Sequence, residues 1–239
     1  MTDQGLGRRD FLKTAVVGGA AAAATVVQEP ASALAQQPPE TPAAAPPPAT
    51  YEFLNLEEAA FVEALVDHMV PADDLTPKGT DLGINVYIDR ALAGAWGKGD
   101  RLYMQGPWRQ GVPNQGYQLP LTPADLYRAG IAATNAHCRK TFDKVFDQID
   151  ETQREQVLVA LSEAKITFEN GPPVRSFWNT VYETVMQGMF ADPIYGGNRN
   201  KAAWRMLGFP GAIAVHREHV VKFRDKPFPN DPIGIADMS

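Results

Sequence analysis

The sequence has 239 residues, with 22 basic and 28 acidic side chains, a net charge of −6, 20 glycines, 20 prolines and one cysteine. An acidic chain without clustered Lys and Arg is poorly suited to neutralising phosphates, which argues against nucleic-acid binding and against docking on anionic lipid. Cys138, being alone, cannot form an intramolecular disulfide, and no stretch reaches the roughly 18 consecutive apolar residues that a transmembrane helix needs.

The first fifth of the chain differs in kind from the rest. Arg8, Arg9, Phe11, Leu12 and Lys13 precede an uncharged, alanine-rich run, Ala15–Val27, and then the small-residue stretch Ala31-Ser32-Ala33-Leu34-Ala35. A charged head, a moderately apolar middle and overlapping small-x-small sites are the three parts of a secretory signal. The adjacent arginines make it the twin-arginine type, which resembles the pattern Ser/Thr-Arg-Arg-x-Phe-Leu-Lys with Gly7 in place of the hydroxyl residue. Cleavage is expected after Ala35, with Ala33 as the alternative. Residues 1–35 contain three basic and three acidic side chains, so their removal leaves the charge at −6. Six prolines fall within Pro38–Pro48, and residues 36–50 read as a semi-extended Pro/Ala-rich linker. Residues 51–239 are left as one helical domain.

Asn55, with Glu58 three residues on, forms a capping-box signature for a helix to Val70, with Phe61, Leu65, Val66 and Met69 on one stripe and Pro71 as its stop. A shorter helix fits Leu82–Ala93, ended by Gly94. From Gly94 to Leu121 runs a long segment rich in glycine and proline that carries Trp96, Tyr103, Trp108 and Tyr117. A loop of that length is either a partner surface or a flap packed back on the helices by its aromatics. Thr122-Pro123-Ala124-Asp125 starts a helix expected to reach Ile149, and Asp150 with Gln153 opens another through Leu161. After Gly171-Pro172-Pro173, Ser176 is expected to cap a helix bearing Phe177, Trp178, Val181, Val185 and Met189. No segment alternates with a period of two, so the class is all-α.

The common chemical signatures are absent from the sequence: no dinucleotide glycine fingerprint, no Gly-x-Ser-x-Gly, no P-loop, no Cys-x-x-Cys and no Cys-x-x-Cys-His haem attachment. No catalytic, cofactor-binding or metal residue is therefore assigned to this chain. The rival reading is a self-sufficient enzyme or metal-binding protein using His216 and His219 with acids such as Asp73 and Asp74. Against it, the sequence shows no third ligand of obvious type near the two histidines. The densest segment is Met189–Gly211. Its Asp192-Pro193 start, Gly196-Gly197 pair and Asn198 suit a tight turn, and Arg199, Trp204 and Arg205 are of the types that dominate binding hot spots. Pro193, Tyr195, Gly196, Gly197, Asn198, Arg199 and Trp204 are accordingly candidates for partner contact. A tight turn between helices, followed by a short core helix around Trp204, is the competing reading.

Several segments together resemble the gluconate 2-dehydrogenase subunit 3 family, the small (gamma) subunits of membrane-bound gluconate 2-dehydrogenase. They are the twin-arginine start, Glu57-Glu58-Ala59-Ala60-Phe61 through Asp67 to Val70-Pro71-Ala72-Asp73, Tyr87–Gly94, and Gly106-Pro107. Most specific is Asp192-Pro193-x-Tyr195-Gly196-Gly197-Asn198-Arg199, followed by Trp204 and Gly208–Gly211. The resemblance implies a non-catalytic accessory subunit of a periplasmic oxidoreductase complex, exported already folded through the twin-arginine translocase. It further implies a large partner subunit that holds FAD and a multihaem cytochrome c partner, with membrane association only through the complex. Gluconate, 2-ketogluconate, fructose, glucose and sorbitol stay open as the substrate of such a complex. A periplasmic adaptor for an unrelated redox partner is a third reading.

Overall fold

The computed structural model describes residues 50–238 apart from 101, 110, 113–114, 213–216 and 228–230. The expected signal peptide, with Arg8, Arg9, Phe11, Leu12 and Lys13, and the linker before Thr50 lie outside the described residues, as does His216. The described chain forms α1 (Leu56–Met69), α2 (Ile84–Ala93), α3 (Pro123–Phe142), α4 (Glu151–Ser162), α5 (Val174–Phe190), α6 (Ala202–Leu207) and α7 (His219–Lys222). Among the described residues there is no strand, only a single bridge between Gly211 and Ile233. The fold is all-α.

Three helix starts rest on reciprocal capping boxes. Asn55 with Glu58, Thr122 with Asp125 and Asp150 with Gln153 each satisfy two backbone donors that the first helical turn would leave without partners. Three expected boundaries move, the first at α2, which begins at Ile84 rather than Leu82, after Gly83 in the left-handed conformation at φ 78°. Helix α3 stops at Phe142 rather than Ile149, because Asp143 takes the left-handed conformation at φ 58° and reverses the chain. Phe146 and Ile149 are still buried, but from a turn. Phe146 stacks 4.5 Å from Phe61, and its amide donates to Asn135 Oδ1 at 3.1 Å. Helix α5 begins at Val174 directly after Pro173, so Ser176 lies inside the first turn and caps nothing.

The core is the common interior of these helices. Phe61, Leu65 and Val66 of α1 meet Ile84, Ile88 and Leu92 of α2, Leu126, Tyr127 and Ile131 of α3, Leu158 and Leu161 of α4, and Phe177, Val181 and Val185 of α5. Each such side chain contributes roughly 1.5–3 kcal/mol on leaving water. Helix α5 packs against α2, α3, α4 and α6. It comes so close to α3 that a Cβ at Gly130 would overlap the Phe177 ring. The long segment after Gly94 largely folds back: Trp96, Tyr117, Leu119 and Leu121 pack on the core, while Tyr103 and Val112 stay exposed. Its ends are pinned by Ala124 N–H donating to the Gly97 carbonyl at 3.0 Å and by the Tyr117 hydroxyl donating to the Leu121 carbonyl at 2.5 Å.

The segment entering α1 is held by one buried carboxylate. Asp89, 1% exposed, accepts the amide of Glu52 at 2.8 Å and those of Phe53 and Leu54 at 2.9 Å. Cys138 is fully buried on α3, and burial pushes its thiol up to about 11. It is a packed apolar group rather than a nucleophile.

Two outcomes are expected. Asp89→Ala, which strands three amides at once, should lower unfolding free energy by about 3 kcal/mol, seen as a fall in the urea midpoint at unchanged slope. The Cys138 thiol should resist a soluble alkylating reagent at pH 8 in the native protein and react fully in denaturant, with labelling followed by mass.

Candidate functional site

The turn after α5 is built by side chains bonding to nearby backbone. Asp192 Oδ1 accepts the Ile194 amide at 3.0 Å, opening a 3-10 turn over Pro193–Tyr195. Gly196 follows at φ 103°. The next residue, Gly197, lies directly against the backbone of Gly188, where a Cβ would overlap the Gly188 carbonyl oxygen. Asn198 is wholly buried in the left-handed conformation at φ 46°. Its Nδ2 donates to the Ala191 carbonyl at 3.0 Å, and its Oδ1 accepts the Ala203 amide at 3.0 Å, so it joins the end of α5 to the start of α6. The Arg199 amide donates to the Leu82 carbonyl at 3.0 Å, which ties the turn to the chain entering α2. Trp204 Nε1 donates to the Phe190 carbonyl at 2.9 Å, and its ring meets Phe209 edge-on.

The candidate residues thus divide between two sides of the turn. Gly197, Asn198 and Trp204 face inward and are engaged within the fold. Pro193, Gly196 and Arg199 are half-buried, while Tyr195 stands 57% exposed beside Ile194 at 50%. The core helix around Trp204 and the exposed face at Tyr195 therefore coexist in one motif.

A C-terminal strap lies over the same turn. Ala212 N–H donates to the Ile233 carbonyl at 2.7 Å, and the Ile235 amide donates to Asp192 Oδ2 at 2.8 Å. Lys201 Nζ donates to the Pro232 carbonyl at 3.0 Å and to Asp237 at 2.5 Å. The Lys201 ammonium holds the Asp237 carboxyl below its usual range. Ile235 and Met238 of the strap are exposed on the surface. Sequence reasoning missed the strap, since partners such as Asp192 and Ile235 are 43 positions apart and share no local pattern.

The turn also reaches a polar cleft of about 480 Å³, lined by Glu63, Asp67, Lys78, Asp81, Asp147 and Arg199 together with Thr80 and Asn85. Asp67 accepts Lys78 Nζ and the Thr80 amide, both at 2.8 Å. Arg199 Nη1 lies 3.5 Å from the Thr80 carbonyl. The Tyr51 hydroxyl donates to Glu63 at 2.5 Å and accepts from Asn85 Nδ2 at 2.6 Å; burial, then Glu63, raises the tyrosine pKa. Asp67 and Arg199 lie in segments the sequence singles out, but no local pattern joins them to Glu63, Lys78, Asp81 and Asp147, so the cleft as a site carried no signal.

The residues of the rival metal reading are spread apart in use. Asp73 accepts the amides of Leu75 and Thr76 in its own turn, and His219 meets Phe223 edge-on. Among the described residues no group of three or more His, Cys, Asp or Glu is placed to hold a metal ion. His68 pairs with Glu155 at 2.7 Å, and the pKa of His137 is lowered by burial and by Lys140.

The family model for gluconate 2-dehydrogenase subunit 3 matches residues 56–211, more than half of the chain and all of the turn from Asp192 to Gly211. No curated protein and no solved structure matches.

Asn198→Ala should cost about 3 kcal/mol, because it removes two buried hydrogen bonds and places alanine, which tolerates the left-handed region less well than asparagine, at φ 46°. Tyr195→Ala should stay within about 0.5 kcal/mol of the wild type; urea unfolding reads both. The strap should respond to acid. Asp237 titrates lower folded than free, so its contribution is complete above the free value of 3.8 and is lost as pH falls through the folded one. Hydrogen-exchange protection of the Gly234 amide, which donates to Asp237 at 2.7 Å, should fall over that window and show no such step in Asp237→Asn.

Proposed function

The chain belongs to the gluconate 2-dehydrogenase subunit 3 family, and on that premise we propose that it is the small, non-catalytic subunit of a flavin-dependent sugar or sugar-acid dehydrogenase complex in the periplasm. It supports folding and assembly of the FAD-bearing subunit and carries that subunit through the twin-arginine translocase on its own signal, Arg8-Arg9 with Phe11, Leu12 and Lys13. FAD sits on the large partner and haem c on a multihaem cytochrome partner, through which the complex meets the membrane.

The observation that carries this reading is the family match over residues 56–211. Two features support it. The twin-arginine route accepts passengers that are already folded, and this domain is closed by local caps and buried side-chain bonds without a disulfide. In addition, the family's densest motif leaves Ile194 and Tyr195 in solvent although Gly197, Asn198, Ala203 and Trp204 of the same motif are buried. A rigid, exposed aromatic beside an aliphatic residue suits a protein interface, since little conformational freedom is lost on docking.

Replacing Arg8 and Arg9 together by Lys should strand both this chain and the flavin subunit in the cytoplasm, with dehydrogenase activity lost from the periplasmic fraction. Normal periplasmic activity would overturn the export role. Ile194→Ala with Tyr195→Ala should weaken co-purification of the flavin subunit by about ten-fold while the isolated chain keeps its stability.

A further inference from the structure

The turn that exposes Tyr195 is seated directly on α2. Gly196 lies so near that helix that a Cβ on it would come within 3.1 Å of both Val86 Cγ1 and Arg90 Nη1. Tyr87, half-buried on the same helix, directs its hydroxyl to Gln187 Oε1 of α5 at 3.4 Å. Burial, then the nearby Tyr195 hydroxyl, raises the pKa of Tyr87. Tyr87, Arg90, Ile194 and Tyr195 therefore gather around Gly196, although α2 and the turn are about a hundred positions apart. Both segments fall within the family match over residues 56–211.

The charge on this surface is unanswered. Arg90 is exposed, and among the described residues its guanidinium has no ion-pair or hydrogen-bond partner. Arg128 and Arg139, by contrast, pair with Glu58 and Glu57. A place in the last turn of α2 suits any cation, because the helix dipole is negative there. The neighbours ask for more than a charge. A planar guanidinium beside two phenols and an aliphatic side chain joins the residue types that dominate binding hot spots.

From this juxtaposition we infer that the contact face extends from Ile194 and Tyr195 onto α2, and that Arg90 receives a carboxylate of the flavin-bearing partner beside Tyr87 and Tyr195. The inference rests on the accessory-subunit reading and deepens it, since it names the chemistry of the partner's surface. A guanidinium fork matches a carboxylate with two parallel hydrogen bonds, and a tyrosine hydroxyl can donate to the same group. Ile194 and the two rings would shield that pair from water, which strengthens it. The chain's net charge of −6 disfavours a polyanion in place of a single carboxylate.

The test measures binding of the flavin subunit to the full mature chain over a range of salt, beside the urea midpoint of each chain alone. Arg90→Ala should leave the midpoint unchanged, bind about thirty-fold more weakly and show a shallower salt dependence. Arg90→Glu should bind more weakly still, because it sets like charges face to face. Arg90→Lys keeps the charge at the helix end, and about five-fold weaker binding is expected of it because an ammonium cannot make the forked contact. Arg90→Glu binding as tightly as Arg90→Ala, or all three variants matching the wild type, overturns the inference and leaves the accessory role intact. If the wild-type chain binds no flavin subunit, the accessory reading itself falls and this inference with it.

Discussion

The close approach of α5 to its neighbours is the constraint on which the rest of the domain depends. At Gly130 the α3 backbone runs against the Phe177 ring, and at Gly188 the helix meets Ile84 and Tyr87 of α2 while Gly197 lies on its own backbone. A single methyl group at Gly130 or Gly197 would push against rigid ring or main-chain atoms. Because those backbones are so near, the turn after α5 is delivered to the entrance of α2, where the Arg199 amide bonds to the Leu82 carbonyl. The exposed tyrosine, the strap and the cleft inherit their positions from that one packing arrangement.

The turn shows how one motif can serve the fold and a surface together. Asn198 and Trp204 satisfy carbonyls at the end of α5 that would otherwise be left without donors, which is structural work. In the same turn the amides of Ile194 and Tyr195 bond to Asp192, and both side chains stand in solvent. Arg199 leaves on another side and enters an acidic cleft. In an accessory subunit this division has a physical benefit, because a surface held rigid before docking loses little entropy on association.

Much of the fold was legible locally. The caps at Asn55, Thr122 and Asp150 were readable because a capping box needs only four consecutive residues and its bonds form within them. Where local pattern misled, tertiary packing had overridden it. Phe142, Val145, Phe146 and Ile149 keep helical spacing, yet Asp143 reverses the chain so that Phe146 can reach Phe61 and Asn135. Ser176 is a favoured cap type, but the helix already starts at Val174, after Pro173 with its non-helical ψ of 121°, so Ser176 falls inside the first turn. The Asp192–Gly211 motif was legible in composition, not in direction: nothing local distinguishes the inward Asn198 from the outward Tyr195.

By itself the sequence determined the all-α class, three of the helix starts, the absence of an intramolecular disulfide and the family motif, since each follows from residue identity or from spacings of a few residues. Only the tertiary structure decided which half of the Asp192–Gly211 motif is interior, that a strap crosses it, and that Glu63, Asp67, Asp81, Asn85, Asp147 and Arg199 share one cleft. The physical reason is separation along the chain. Arg199 lies more than a hundred positions from Thr80, and such contacts arise only from how whole helices pack.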